Sequence, residues 1–318
     1  MNKNKKYILA GLTFVAIALG ALALYLFLPI TTKHNLKIPS SEPKELVRYL
    51  KKQNYSLNII DEIFLKIFPP YQGWVYINKK ELPRYQFLLA LHKKGNYYTP
   101  FTIIPGETSY FVLKELSQKF SYDRKKVIQI YNKLKLFREG NFIANTYNIP
   151  NYFNEKRAVN FLLKESFKIH KKIASEYGLN FKEEAYKKFL IVASIIQKEA
   201  ANTKEMPIIA SVIYNRLRKN MRLQMDGTLN YGAYSHTKVT PQRIKEDKSF
   251  YNTYKFKGLP KAPICNVSTT AIEAAINPIE SDYLYFMKKD EKSHLFSSTF
   301  KEHRENIKKR KEKLNKQH

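Results

Sequence analysis

Residues 7–28 read YILAGLTFVAIALGALALYLFL, an unbroken apolar run without a charge. A stretch of that length can cross a hydrocarbon core as one helix, and a domain of modest size has no interior that would bury it on every side. Lys3, Lys5 and Lys6 precede the run and would hold the N-terminus in the cytoplasm. Lys33, Lys37 and Lys44 follow it and reduce that asymmetry. A cleaved signal peptide is the competing reading, with Ala21-Leu22-Ala23 as the small-residue site. Apolar residues nevertheless continue to Leu28, past the roughly 7–15 residues of a signal h-region. The expectation is therefore a cytoplasmic tail over 1–6 and an uncleaved transmembrane helix over 7–28. The chain would be a single-pass protein of the cytoplasmic (inner) membrane, with the rest outside the cytoplasm.

With 56 Lys and Arg against 27 Asp and Glu in 318 residues, the formal net charge is +29. Such a balance suits an anionic partner: nucleic acid, lipid headgroups or an acidic wall polymer. It also has a plain reading as a solubility effect. The basic residues are spread along the chain, with clusters at Lys79–Lys80 and Lys308–Lys313 and no stripe interleaved with aromatics. An exported body makes nucleic acid an unfavoured partner. Cys265 is the single cysteine, so no intrachain disulfide can form. With seven scattered His, no Cys/His zinc pattern exists, and no metal or organic cofactor is implied.

Beyond the apolar run, residues 29–45 are polar with Pro39 and Pro43 and read as a linker. The 46–137 region carries helix signals at 44–52, a strand at Trp74–Ile77 and a helix over Leu82–His92. Phe101–Ile104 is β-prone, and Pro105-Gly106-Glu107-Thr108 supplies a turn and a helix cap. Helical spacing follows at Tyr110, Leu113 and Leu116, then at Val127, Ile130, Tyr131 and Leu134. A strand, a Gly turn and two short helices over about 99–136 resemble a LysM-like module, a small fold that binds glycans. An ordinary βαα packing unit gives the same pattern. Residues 156–181 read as an amphipathic helix, 138–307 as one further domain, and 308–318 as a basic tail, a solvated or frayed helix end.

Residues 183–200, EEAYKKFLIVASIIQKEA, lack Pro and Gly, and Phe189–Ile196 is apolar or small on every side, so this helix is expected to be buried. At about 100° per residue, Glu199 falls on the stripe of Val192, Ile195 and Ile196. Partial desolvation and the negative helix end would both raise its pKa. A carboxyl kept protonated near neutral pH can donate to a leaving oxygen. Taken by itself, a solvent-facing glutamate paired with Lys198 or Lys204 is the more ordinary reading.

The run Ala193-Ser194-Ile195-Ile196-Gln197-Lys198-Glu199 resembles the signature helix of the YceG-like family, the endolytic murein transglycosylases (MltG). The likeness continues in order through Val212–Leu217, Met221–Asp226, Thr228, Tyr231-Gly232, Tyr251–Tyr254, Gly258–Pro260 and Ala262–Ile264. It closes with Ala274-Ala275, Pro278, Tyr283–Phe286, His294, Phe296 and Thr299. Upstream, Glu139-Gly140, Phe142 and Thr146-Tyr147 match the family's junction, with Ala144-Asn145 in place of its Pro-Asp. The family usually has a glutamate where this chain has Gln197, so the catalytic role carries over onto Glu199 alone.

The resemblance implies cleavage of the bond between N-acetylmuramic acid and N-acetylglucosamine without water, leaving 1,6-anhydro ends. Glu199 would act as acid and then as base. A single carboxyl suffices there, whereas ordinary glycosidases need two. Gln224, Asp226, Asn252 and Tyr254, in Gly/Pro-flanked loops, are the candidate sugar contacts. Each has a structural alternative: Asp226-Gly227 is a common turn signal and Asn252 could bridge backbone groups. Asp226 could also be a second carboxylate, which would make the reaction hydrolysis. His294 is expected to be packed or hydrogen-bonded, and Tyr283, Tyr285 and Phe286 to form a buried strand. The expected fold is α+β: a membrane helix, a LysM-like small subdomain and a mixed α/β catalytic domain. Expected partners are peptidoglycan strands, the membrane and peptidoglycan synthases. The rival reading is a non-catalytic, membrane-anchored wall-binding scaffold.

Overall fold

Twenty-five residues without Pro or an acidic side chain, Lys3–Phe27, wind into one helix, α1. A computed structural model of the chain describes residues 3–33, 35–77, 79–93 and 98–315. Within α1 the segment Leu9–Phe27 is long and apolar enough to cross a membrane, and none of its residues is fully buried; only its last residues, among them Tyr25 and Leu26, touch the rest of the unit. Two residues of the expected cytoplasmic tail, and 316–318 of the expected C-terminal tail, lie outside the described residues.

The chain divides into two units, Met1–Thr99 with Pro150–Tyr152, and Pro100–Ile149 with Phe153–His318. In the first, 29–45 is not the linker its polar composition suggests. It holds strands β1 (Pro29–Thr31) and β2 (Asn35–Ile38) and leads into α2 (Pro43–Lys52), with Pro43 in the first turn, where its missing N–H costs nothing. The strands persist because Ile30, Leu36 and Ile38 are buried in the core of this unit. Helix α3 (Ile59–Ile67) starts at a capping box, Asn58 with Asp61, that had no counterpart in the expected elements. Strands β3 (Gly73–Tyr76) and β4 (Glu81–Pro83) pair antiparallel with β2 and β1, setting Leu36 opposite Val75 and Ile30 opposite Leu82. Helix α4 (Arg84–His92) completes the unit. Arg84 and Asp61 form a buried ion pair at 2.9 Å, and the hydroxyl of Tyr25 donates to the same Asp61 oxygen at 2.7 Å. That third partner helps offset the desolvation of the pair.

The second unit begins in β5 (Tyr98–Thr102), followed by α5 (Ser109–Phe120), α6 (Arg124–Leu134) and β6 (Thr146–Pro150), which pairs with β5. Ser121, in the left-handed region at φ 54°, stops α5, and Asp123 caps α6 two residues later. Helix α7 (Glu155–Glu176) packs on α6 and shares its core, Val127, Leu162 and Leu163 among others.

A larger core is organised around α8 (Glu184–Glu199). Every side chain from Leu190 to Ile196 is buried, as a helix apolar on all sides requires. Helices α9 (Met206–Arg218) and α11 (Thr269–Ile276) pack against it, with the short α10 (Pro241–Glu246) in the connection between them. The hairpin β7 (Tyr285–Lys288) and β8 (His294–Ser297) follows, with Phe286 opposite Phe296. Tyr283 precedes the strand, and Tyr285 and Phe286 are only half-buried, because the hairpin is a two-stranded ribbon. The last helix, α12 (Phe300–Asn315), runs on past residue 308, so the basic stretch that follows is the exposed end of a helix.

Candidate active site

Glu199 is the last residue of α8, and the chain turns to an extended conformation at Ala200. Its position on the apolar stripe leaves the side chain half-buried at the end of the core. A second segment, the short 3-10 turn Asp226–Leu229, closes over it. The Gly227 N–H donates to Oε1 of Glu199 at 2.8 Å. A Cβ at residue 227 would stand 2.6 Å from Cβ of Lys198 and 2.8 Å from that Oε1, so only glycine fits.

Burial pushes the Glu199 carboxyl up to about 7. The Gly227 N–H favours the charged form and works against that shift, Asp226 nearby adds to it, and the Arg216 guanidinium opposes it. Arg216 is itself buried and is held by the carbonyls of Leu284, at 2.6 Å from Nε, and Leu223. It is a fixed charge of the scaffold rather than a mobile surface group.

The loop that carries Gly227 is pinned from below. Thr253 Oγ1 accepts the Met225 N–H at 3.1 Å and shares a hydrogen bond with the Thr228 hydroxyl at 3.0 Å. Gln224 sits in the left-handed region at φ 49°, is exposed, and donates its N–H to the Thr253 carbonyl at 3.2 Å. Asp226 is exposed beside the carboxyl, and the Tyr254 hydroxyl donates to its Oδ1 at 2.6 Å. Two of the four candidate sugar contacts, Asp226 and Tyr254, thus lie beside Glu199, while Gln224 is exposed just ahead of the turn that carries Gly227.

Asn252 is not among them. It is fully buried, its Nδ2 donates to the carbonyls of Ile244 and Asp247 at 2.8 and 2.9 Å, and its Oδ1 accepts the Tyr254 N–H at 3.1 Å. With its amide committed to backbone groups, it shapes the loop that presents Tyr254 and offers nothing to a ligand.

Gln197 accepts both the N–H and the hydroxyl of Ser268, at 3.0 and 2.8 Å, and Ser268 caps α11. An amide fills that acceptor role as well as a carboxylate would. His294 donates its backbone N–H to Glu205 at 2.7 Å, and its Nδ1 lies 2.8 Å from the other carboxylate oxygen. This contact anchors β8. Sequence reasoning gave Gly227, Thr228 and Thr253 no role at the site; Asp226 was a candidate contact, and Gly227 beside it was read only as part of a turn. An open cavity of about 850 Å³ lies along α9, between Tyr214, Arg218 and Glu280, and Glu199 does not line it. Among the described residues no group of three His, Cys, Asp or Glu could hold a metal ion.

A protein of Bacillus subtilis named endolytic murein transglycosylase is 44% identical over 116 residues, 36% of this chain and 32% of that protein. One of the same name from Streptococcus pneumoniae D39 is 32% identical over 156 residues, 47% of this chain and 28% of the other. The chain thus spans about a third of the length of these curated relatives. A crystal structure of a YceG-like protein from Listeria monocytogenes superposes with a TM-score of 0.59 at 24% identity, over 87% of this chain and 98% of that one, and shares the fold. The sequence model of the YceG-like family matches residues 42–309, most of the chain, and the protein belongs to that family.

Proposed function

We propose that the chain is a membrane-anchored lytic transglycosylase that cuts peptidoglycan glycan strands, with Glu199 as its acid and base. The observation that carries this reading is the Glu199 carboxyl, pushed up to about 7 by burial and hydrogen-bonded on one oxygen only by Gly227. Because Oε1 accepts the Gly227 N–H, Oε2 is the oxygen that carries the proton. The proton passes to the glycosidic oxygen as the bond from C1 of N-acetylmuramic acid breaks. The resulting carboxylate takes the proton of the 6-hydroxyl as that oxygen bonds to C1. The 1,6-anhydro ring closes, the carboxyl is restored, and no water is consumed.

Asp226 and Tyr254 stand beside the carboxyl and supply polar contacts for the sugars, with Gln224 exposed just ahead of the turn. The names of the relatives support a murein substrate. The apolar segment of α1 supports an anchor, with the basic N-terminus on the cytoplasmic side and action beside peptidoglycan synthases. The strand–helix–helix–strand order of β5, α5, α6 and β6 supports the LysM-like reading. Its turn, however, is packed away: Gly106 and Thr108 are buried, and the Thr108 hydroxyl donates to the Gly232 carbonyl at 2.8 Å.

The test is incubation of the full-length protein and its Glu199→Gln variant with purified peptidoglycan, followed by mass spectrometry. Anhydro-muramoyl ends from the parent alone are expected. Reducing ends would instead mean hydrolysis with Asp226 as second carboxylate, and wall binding without cleavage by either protein would mean a scaffold.

A further inference from the structure

Beside the Glu199 turn lies a group of rings that no step above uses. His236 stacks on Phe111 with centroids 4.1 Å apart and planes 13° from parallel, and its Nε2 lies 2.7 Å from Oε1 of Glu107. Tyr110, next on α5, is 42% exposed with the Arg124 guanidinium 5.0 Å from its ring centroid. Tyr234, in the same turn as His236, is 49% exposed and carries the Arg243 guanidinium at 4.6 Å. Lys198, the neighbour of Glu199, donates from Nζ to the hydroxyl of Ser235 at 2.7 Å, between Tyr234 and His236.

An exposed ring normally has no reason to be held still. Here each one is braced on one face, by a cation or by another ring, while it keeps a large open surface. Rings fixed in this way present apolar area at little further entropic cost on binding. The bracing groups Arg124 and Arg243 are also cations, set among surfaces suited to the C–H faces of sugars.

We propose that Tyr110, His236 and Tyr234 form a second glycan-binding subsite, a platform that holds N-acetylhexosamine units away from the bond being cut. Its cationic margin suits strands whose muramoyl units carry acidic peptides. This rests on the reading of the chain as a peptidoglycan-cleaving enzyme and adds to it the part of the strand that is gripped. The platform sets a preference for long strands, because only a strand that extends past the bond at Glu199 fills both subsites.

The test uses full-length protein in detergent carrying Glu199→Gln, so that strands bind without being cut. Affinity is measured for long peptide-free glycan strands of peptidoglycan and for the disaccharide, with Tyr110→Ala and Tyr234→Ala added singly. Each is expected to lower the ratio of long-strand to disaccharide affinity roughly threefold to tenfold, the size of one lost ring contact. In the Glu199 background the loss should be read in KM for long strands more than in kcat. Thermal melting of each variant confirms the fold, and the two substitutions lie on separate elements, so a defect in one leaves the other informative. Long-strand affinity equal to the parent's in both variants would overturn the platform, while cleavage by the Glu199 protein would still stand. Absence of glycan binding and cleavage in the parent itself would overturn the underlying function.

Discussion

The backbone N–H of Gly227 donates to Oε1 of Glu199 at 2.8 Å, and the Cα of residue 227 has no room for a methyl group on the side of that oxygen. One residue therefore both orients the carboxyl and covers it. Placing Ala at 227 forces a shift of Lys198, Glu199 or the turn itself. Gly227→Ala is expected to lower kcat about tenfold to a hundredfold, as misplacement by part of an ångström does, and to cost roughly 1–3 kcal/mol through overpacking. Steady-state rates on peptidoglycan with a melting curve check both effects. Unchanged rates would remove Gly227 from the site.

Glu199 should be a stability liability at alkaline pH. Its carboxyl ionises at about 4.5 when exposed and at about 7 in the fold. Below about pH 4.5 both states hold the proton; as pH rises from there to about 7 only the folded state keeps it, so stability falls across that window. Glu199→Gln keeps an acceptor for the Gly227 N–H without the charge. It is expected to be more stable than the parent at pH 8 by on the order of 1–3 kcal/mol, and not at pH 4. Paired denaturant titrations at the two pH values decide it.

In the proposed reaction the same ionisation sets the rate. If the acid form starts the reaction, kcat/KM declines tenfold per pH unit above about 7. Asp226 favours the protonated form of Glu199, so Asp226→Asn is expected to move this alkaline limb to lower pH. A pH–rate profile of both proteins measures the displacement. An identical limb would mean that solvent screens the exposed Asp226 charge fully.

Asn252→Ala is expected to act on the fold. It leaves two buried carbonyls and the Tyr254 N–H without their partner, a loss of about 2–4 kcal/mol. A lowered melting temperature, with glycan affinity kept by the fraction still folded, is the expected pair of results. Lost affinity in a fully folded variant would restore Asn252 as a sugar contact.

What the sequence made legible was local. The helix ending in Glu199 could be placed because its apolar run and its lack of Pro and Gly act within a few turns. The strands over 29–38 could not, because their partners stand far along the chain, Pro83 opposite Pro29 and Gly73 opposite Ile38, and a short polar segment carries no sign of them. Gly227 illustrates the same limit. Asp-Gly is a sound turn signal, yet its importance arises from the approach of a residue 28 positions earlier. Asn252 failed for a related reason: a loop asparagine flanked by polar residues can face a ligand or its own backbone, and only the packing of Ile244 and Asp247 against it decides.

The carboxyl that defines the site has its unusual proton affinity only while α8 is packed and the Asp226–Leu229 turn lies over its end. In a disordered chain the same side chain is an ordinary glutamate, ionised at neutral pH and unable to protonate anything. Folding itself therefore confers the proton affinity of Glu199, and any loosening of the turn over the end of α8 withdraws it.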